Sequence, residues 1–102
     1  MTKDPQITVA VKEILDLIKN ISPGKSVELR VPPYGAIQCV AGSNHRRGTP
    51  PNTVEMSGQT LVRLINEPSL WSDLCESGEV RASGLLSDLS NLFAQAAVKY
   101  RA

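Results

Sequence analysis

Apolar residues recur every three or four positions from Gln6 to Ile21. This spacing puts one apolar stripe on a helix, typical of packing on a core; a wall of a ligand pocket is the alternative interpretation. The segment Ser22-Pro23-Gly24 is expected to end the helix, because proline cannot extend the hydrogen-bond ladder and glycine suits the turn. The stripe consists of Ile7, Val11, Ile14, Leu15, Ile18 and Ile21.

Four later segments alternate apolar and polar residues, which predicts strands with one buried face. In the last of them, Val80 and Ala82 are expected to point inward. The turn Pro32-Pro33-Tyr34-Gly35 predicts that the first two strands form an antiparallel hairpin. Outward positions carry opposite charges that can pair across strands: Glu28, Arg30, Glu55 and Arg81. The predicted strands are Ser26 to Val31, Ala36 to Ala41, Thr53 to Met56 and Glu79 to Ser83.

Three further helices are predicted to cover the apolar face of this sheet. Ser57 is expected to cap the first, and Ser69 to cap a short second helix that Gly78 closes. The third is expected to begin at Gly84 or Ser87, with one apolar face formed by Leu85, Leu89, Leu92, Phe93, Ala96 and Tyr100. The fold class predicted is α+β with two layers: a mostly antiparallel four- to five-stranded sheet covered on one face by helices.

Composition narrows the function classes. With 102 residues, the chain is expected to form a single domain, 1–102, around one core. A formal net charge of +1 argues against a nucleic-acid partner. No apolar run is long enough to predict stable membrane insertion, and the N-terminus lacks the apolar core of a signal peptide. We therefore expect a cytoplasmic protein in which Cys39 and Cys75 are reduced and buried, with no metal site and no cofactor.

The loop from Gly42 to Asn52 holds the most concentrated polar cluster. Arg46 and Arg47 have the chemistry to hold a phosphate or carboxylate, and His45 that of a base. However, no carboxylate lies near His45 in the sequence to orient it, and the loop lacks a glycine-rich phosphate cradle. We predict no catalytic residues. The loop is interpreted as a solvated connection or as an anion site formed by His45, Arg46, Arg47 and Asn52.

Two stretches carry a family resemblance. R-V-P-P-Y-G-A-I-Q-C-V-A-G, from Arg30 to Gly42, continues through His45, Arg47 to Asn52 and Val54-Glu55. It resembles the small actinobacterial proteins classed as bacterial sterol carrier protein orthologues. The second stretch is similar to the closing pattern of the wider sterol carrier protein superfamily: Trp71, Ser77 to Val80, Ala82 to Gly84, Asp88 to Ser90 and Leu92.

This resemblance implies a curved, mostly antiparallel sheet with helices on one side. It also implies non-catalytic binding of an apolar small molecule (a lipid, sterol or fatty acyl chain) in a tunnel between sheet and helices, opening near the last helix. By position, the apolar lining would be Leu29, Ile37, Cys39, Met56, Leu61, Trp71, Leu89, Leu92 and Phe93. The alternative is a protein-interaction or homodimerisation module with a closed core and no ligand. An enzyme based on His45 and the arginines is the third hypothesis.

Overall fold

The computed structural model describes residues 3–42 and 52–102. These residues form an α+β fold in which one four-stranded sheet is covered by helices, as the sequence pattern predicted. The elements are α1 (Pro5–Ile21), β1 (Val27–Val31), β2 (Gly35–Cys39), β3 (Asn52–Met56), α2 (Gly58–Asn66), a one-turn 3₁₀ helix (Pro68–Leu70), α3 (Trp71–Ser77), β4 (Val80–Ser83) and α4 (Ser90–Arg101).

The sheet has the strand order β2-β1-β3-β4. β1 and β2 form the predicted antiparallel hairpin, with Leu29 opposite Ile37. β3 is also antiparallel to β4, but the central strands β1 and β3 run parallel. The sequence did not predict this parallel pair. Alternation shows which face of a strand is buried, whereas strand direction depends on the crossover connection between the two strands.

Burial follows the alternation in β1 and β3, where every second residue is buried. β4 differs, because only Val80 is buried and Ala82 is exposed. The inward position predicted for Ala82 is therefore wrong. β4 lies at an edge of the described sheet and leads into the exposed residues 84–86, so the helical layer does not extend over Ala82.

Helix α1 confirms the first stripe, since Val11, Ile14, Leu15 and Ile18 are buried. The side chain of Asp4 caps its N-terminus by accepting hydrogen bonds from the backbone N–H groups of Gln6 (2.8 Å) and Ile7 (3.3 Å). The buried face of α1 packs against α2, α4 and β2. This helix therefore covers the sheet and also meets the last helix, where a surface groove forms.

The short helices confirm one predicted cap and correct another. The Ser57 hydroxyl accepts a hydrogen bond from the Thr60 N–H at 3.1 Å, as expected for a cap of α2. Ser69, by contrast, lies inside the 3₁₀ turn, and α3 follows that turn without any side-chain cap. The turn makes such a cap unnecessary because the chain already has helical geometry when α3 begins. Gly78 ends α3 in the left-handed conformation, with φ of 85°.

Helix α4 begins at Ser90, so the predicted starts at Gly84 and Ser87 are wrong. Gly84 has φ of 110°, and the Ser87 hydroxyl donates to the Gly84 carbonyl at 2.7 Å, which closes a turn before the helix. Leu85 lies outside the helix and is 100% exposed. The remaining predicted face holds for Leu89, Leu92, Phe93 and Ala96, which are buried, but not for Tyr100, which is exposed.

Candidate functional site

The residues predicted to line a pocket come together at the interface of sheet and helices. Eight of them are buried members of one hydrophobic cluster, and Ile37 is partly buried against it. The rings of Trp71 and Phe93, for example, have centroids 5.8 Å apart at an interplanar angle of 33°. These side chains therefore pack on one another, so a ligand that reached them would have to separate them.

Two of these buried residues also line a groove that opens to the surface. Leu89 and Leu92 line an open groove, with a volume of about 360 Å³, between the end of α1 and the start of α4. We call it the α4 groove. Its volume lies at the lower end of the range of ligand pockets, about 300–1,000 Å³. Its apolar residues are Ile21, Val40, Leu85, Leu86, Leu89 and Leu92, and its polar residues are Ser22, Asp88, Asn91 and Gln95.

The rim of the α4 groove carries large apolar side chains in contact with solvent. Leu85 is 100% exposed and Leu86 is 42% exposed. Both belong to the turn between β4 and α4, and not to a regular element. Covering a leucine side chain is worth about 1.5–3 kcal/mol, so an apolar molecule in the groove would gain affinity from these two side chains.

Asn52 positions this rim from inside the fold. Its side-chain nitrogen donates to the Ser26 carbonyl at 2.8 Å, and its side-chain oxygen accepts from the Leu86 N–H at 2.9 Å. Gly84 is required beside it, because an added Cβ would lie 2.1 Å from the Asn52 oxygen. Sequence reasoning missed this role, since the partners of Asn52 are 26 and 34 positions away.

The predicted anion site is only partly within the described residues. Asn52 belongs to β3 and is 3% exposed, and both ends of its carboxamide hydrogen bond within the fold. His45, Arg46 and Arg47 lie outside the described residues. An anion site that combines these four residues stays a prediction.

Val40, on another wall of the α4 groove, has a strained backbone. Its φ of 66° lies in the left-handed region, which a β-branched residue rarely adopts. Two hydrogen bonds hold this conformation: the Val40 N–H donates to the Ser22 carbonyl at 2.8 Å, and its carbonyl accepts from the Ser26 N–H at 3.1 Å. Gly24 packs so closely that an added Cβ would lie 2.2 Å from the Val40 carbonyl. Strain of this kind is often found at binding sites.

Asp88 gives the α4 groove its charge. It is the only ionisable residue among the described residues that line the groove. Hydrogen bonds from the side chain and the backbone N–H of Ser90 lower the pKa of Asp88 below its ordinary value. The hydrogen bond from the Ser90 N–H, 2.9 Å long, places the carboxylate at the N-terminus of α4. The helix dipole also favours a negative charge at this position.

A second groove, with a volume of about 430 Å³, lies at the end of the sheet where β1 and β3 finish, and Met56 is one of its lining residues. It is more polar than the α4 groove, since the side chains of Glu55 and Arg81 pair across it at 2.6 Å. The cross-strand pairing predicted for the outward charges is confirmed here and, at the longer distance of 4.0 Å, between Arg30 of β1 and Glu55 of β3. Arg30 also pairs with Glu28 of its own strand at 2.7 Å. The charges largely satisfy one another, so this surface offers little to an apolar ligand.

The described residues also bear on metal sites and membrane-spanning helices. Within residues 3–42 and 52–102, no group of histidine, cysteine, aspartate and glutamate side chains is arranged to hold a metal ion. In the same described ranges, every helix is too short or too polar to cross a membrane. Of the two cysteines expected to be buried, Cys39 is buried, but Cys75 on α3 is only partly buried. Burial raises the pKa of Cys39 to about 11, so its thiol is protonated at neutral pH.

The fold is that of a sterol carrier protein-like domain. The chain is similar to a solved structure titled "UbiJ-SCP2 Ubiquinone synthesis protein", with a TM-score of 0.56 and 19% sequence identity over 100% of this chain and 98% of that one. More specifically, residues 3–94 match the family model described as "Bacterial SCP ortholog", and the chain belongs to that family. A comparison with curated proteins gave no match.

Proposed function

We propose that this protein is a non-catalytic carrier domain that binds an apolar small molecule through the α4 groove. Membership of the bacterial SCP ortholog family supports a carrier role in general. The observation that carries the proposal is the continuity of this groove with the core. Leu89 and Leu92 line the groove and also belong to the buried cluster that includes Phe93.

The cost of an empty cavity explains why a carrier domain of this size would have a closed core when no ligand is bound. An empty apolar cavity of about 300 Å³ would cost roughly 7 kcal/mol at about 24 cal/mol per Å³. The whole stability of a small domain is about 5–15 kcal/mol. A chain of this size therefore gains stability by closing its core when no ligand is present and by opening it only around a bound hydrocarbon.

In this proposal, the predicted lining residues contact the ligand one after another as it enters. Leu89 and Leu92 meet the hydrocarbon first, because they already face the groove. Trp71 and Phe93 belong to the same buried cluster as Leu89 and Leu92, and so do buried residues of the sheet. The inner residues of the proposed path are Leu29, Ile37, Cys39, Met56 and Leu61.

We also propose that this carrier domain is located in the cytoplasm.

Native mass spectrometry of the freshly purified protein tests the proposal. We expect a mass excess of a few hundred daltons that is lost when the protein is denatured in the same instrument. A ligand-free mass, with no uptake of added fatty acids, long-chain alcohols or sterols, would contradict a carrier role. It would instead favour the alternative of a closed-core interaction or homodimerisation module, and the same spectrum reports the oligomeric state.

A further inference from the structure

The polar side of the α4 groove has a definite chemistry. Asn91 and Gln95 are one helical turn apart on α4, and both line the groove beside Leu92. Ser22 adds a hydroxyl from the end of α1, and Asp88 adds a carboxylate at the start of α4. An apolar chain lying on the leucines would therefore place its head group near two carboxamides, a hydroxyl and a negative charge.

The N-terminus of α4 would ordinarily attract an anionic head group, because its backbone N–H groups and dipole favour negative charge. Here Asp88 already occupies that position, since its carboxylate accepts the Ser90 N–H at 2.9 Å. A ligand carboxylate in the groove would meet a like charge there. The described residues that line the groove include no cation to compensate for it.

We propose that the α4 groove prefers lipids with an uncharged, hydrogen-bond-donating head group, such as a long-chain alcohol, over lipids with a carboxylate head group, and that Asp88 determines this preference. This inference rests on the proposed function. An alcohol O–H donates a charge-assisted hydrogen bond to a carboxylate, while its oxygen accepts from a carboxamide N–H. A carboxylate head group can only accept hydrogen bonds, and Asp88 repels it.

The test uses two ligands with the same alkyl chain, decan-1-ol and decanoate, at pH 8, where decanoate is ionised. Each displaces Nile red, an uncharged apolar dye, from the full chain. For two unit charges a few ångströms apart near a protein surface, we expect the wild type to bind decan-1-ol about tenfold more tightly. Asp88→Asn should lower this ratio several-fold, because the repulsion is removed and the greater desolvation cost of the carboxylate remains. Asp88→Lys should lower the ratio further.

Asp88→Asn suits the test because the asparagine side-chain oxygen can still accept the Ser90 N–H, so the start of α4 should be kept. Asp73→Asn is the matched control: Asp73 lies in the first turn of α3, outside the α4 groove, and its substitution should leave the ratio unchanged. Equal binding of both ligands by the wild type, or a ratio that Asp88→Asn does not change, would overturn the preference but leave the carrier function standing. Failure of the protein to bind Nile red or either ligand would overturn both proposals.

Discussion

The side-chain oxygen of Asn52 accepts a hydrogen bond from the backbone N–H of Leu86 at 2.9 Å. The same carboxamide donates to the Ser26 carbonyl at 2.8 Å. One buried side chain thus joins the residue before β1, the first residue of β3 and the turn that precedes α4. Because Leu85 and Leu86 form the rim of the α4 groove, the position of that rim depends on a residue that the groove itself does not contain.

Asn52→Ala should destabilise the fold by about 2–3 kcal/mol. The substitution leaves the Leu86 N–H and the Ser26 carbonyl without their partner, and an unsatisfied buried polar group costs about 1–3 kcal/mol. Urea unfolding followed by the fluorescence of Trp71 measures the loss. The control is Asn66→Ala, because the exposed side chain of Asn66 donates to the Val62 carbonyl within its own helix and does not join distant segments. Equal losses in both variants would contradict the role given to Asn52.

Gly84→Ala should cost more stability than Gly78→Ala. Both glycines have positive φ, 110° and 85°, so each substitution introduces backbone strain of about 1 kcal/mol. At Gly78 an added Cβ meets nothing within 4 Å, whereas at Gly84 it would lie 2.1 Å from the Asn52 oxygen. Thermal unfolding of the two variants gives the comparison. A smaller loss at Gly84 would show that the turn can move away from Asn52.

Phe93→Ala should destabilise the protein by about 3–5 kcal/mol, the usual cost of removing a large buried aromatic side chain. Phe93 is 0% exposed and packs against Trp71, so tryptophan emission should also shift toward that of exposed indole. Val98→Ala is the control on the same helix, because Val98 is 71% exposed and should change stability by less than about 0.5 kcal/mol. Urea titrations of both variants provide the values.

Leu85→Asp should weaken Nile red binding several-fold and leave stability within about 0.5 kcal/mol of wild type. The side chain is fully exposed, so its loss removes no packing, but it forms the rim of the proposed entrance. Val98→Asp adds the same charge to α4 outside the α4 groove and should not affect binding. A similar loss of binding in both variants would mean that the added charge alone, and not the α4 groove, determines the affinity for Nile red.

Stability should fall between pH 9 and pH 11 through Cys39. Burial raises the pKa of this thiol from 9.0 to about 11, so the folded state retains a proton that the unfolded chain releases. The contribution is complete below pH 9 and is lost as pH rises toward 11, by an amount on the order of 2 kcal/mol. The measurement is the difference in unfolding free energy between wild type and Cys39→Ala across this range. If the two curves run parallel, the pKa of Cys39 is not raised in the folded state.

Local periodicity explains which parts of the fold could be predicted. The stripe of α1, the hairpin of β1 and β2 and the cap at Ser57 all depend on residues within a few positions of one another. The start of α4 was not predictable in this way. The sequence around Leu85 continues an apolar face. The distant side chain of Asn52, the positive φ of Gly84 and the turn closed by Ser87 hold this segment outside the helix.

The sequence by itself determined the two-layer α+β class and the residues that form the core, because the alternation in β1 and the spacing in α1 specify which faces leave water. Tertiary structure decided the parallel pairing of β1 with β3, the exposure of Leu85 and the place where the α4 groove opens. These features depend on contacts between residues far apart in the chain, and no local pattern encodes them. The groove lies beside the end of α1, the residue after β2 and the start of α4, and hydrogen bonds of Asn52, Val40 and Asp88 hold the segments around it.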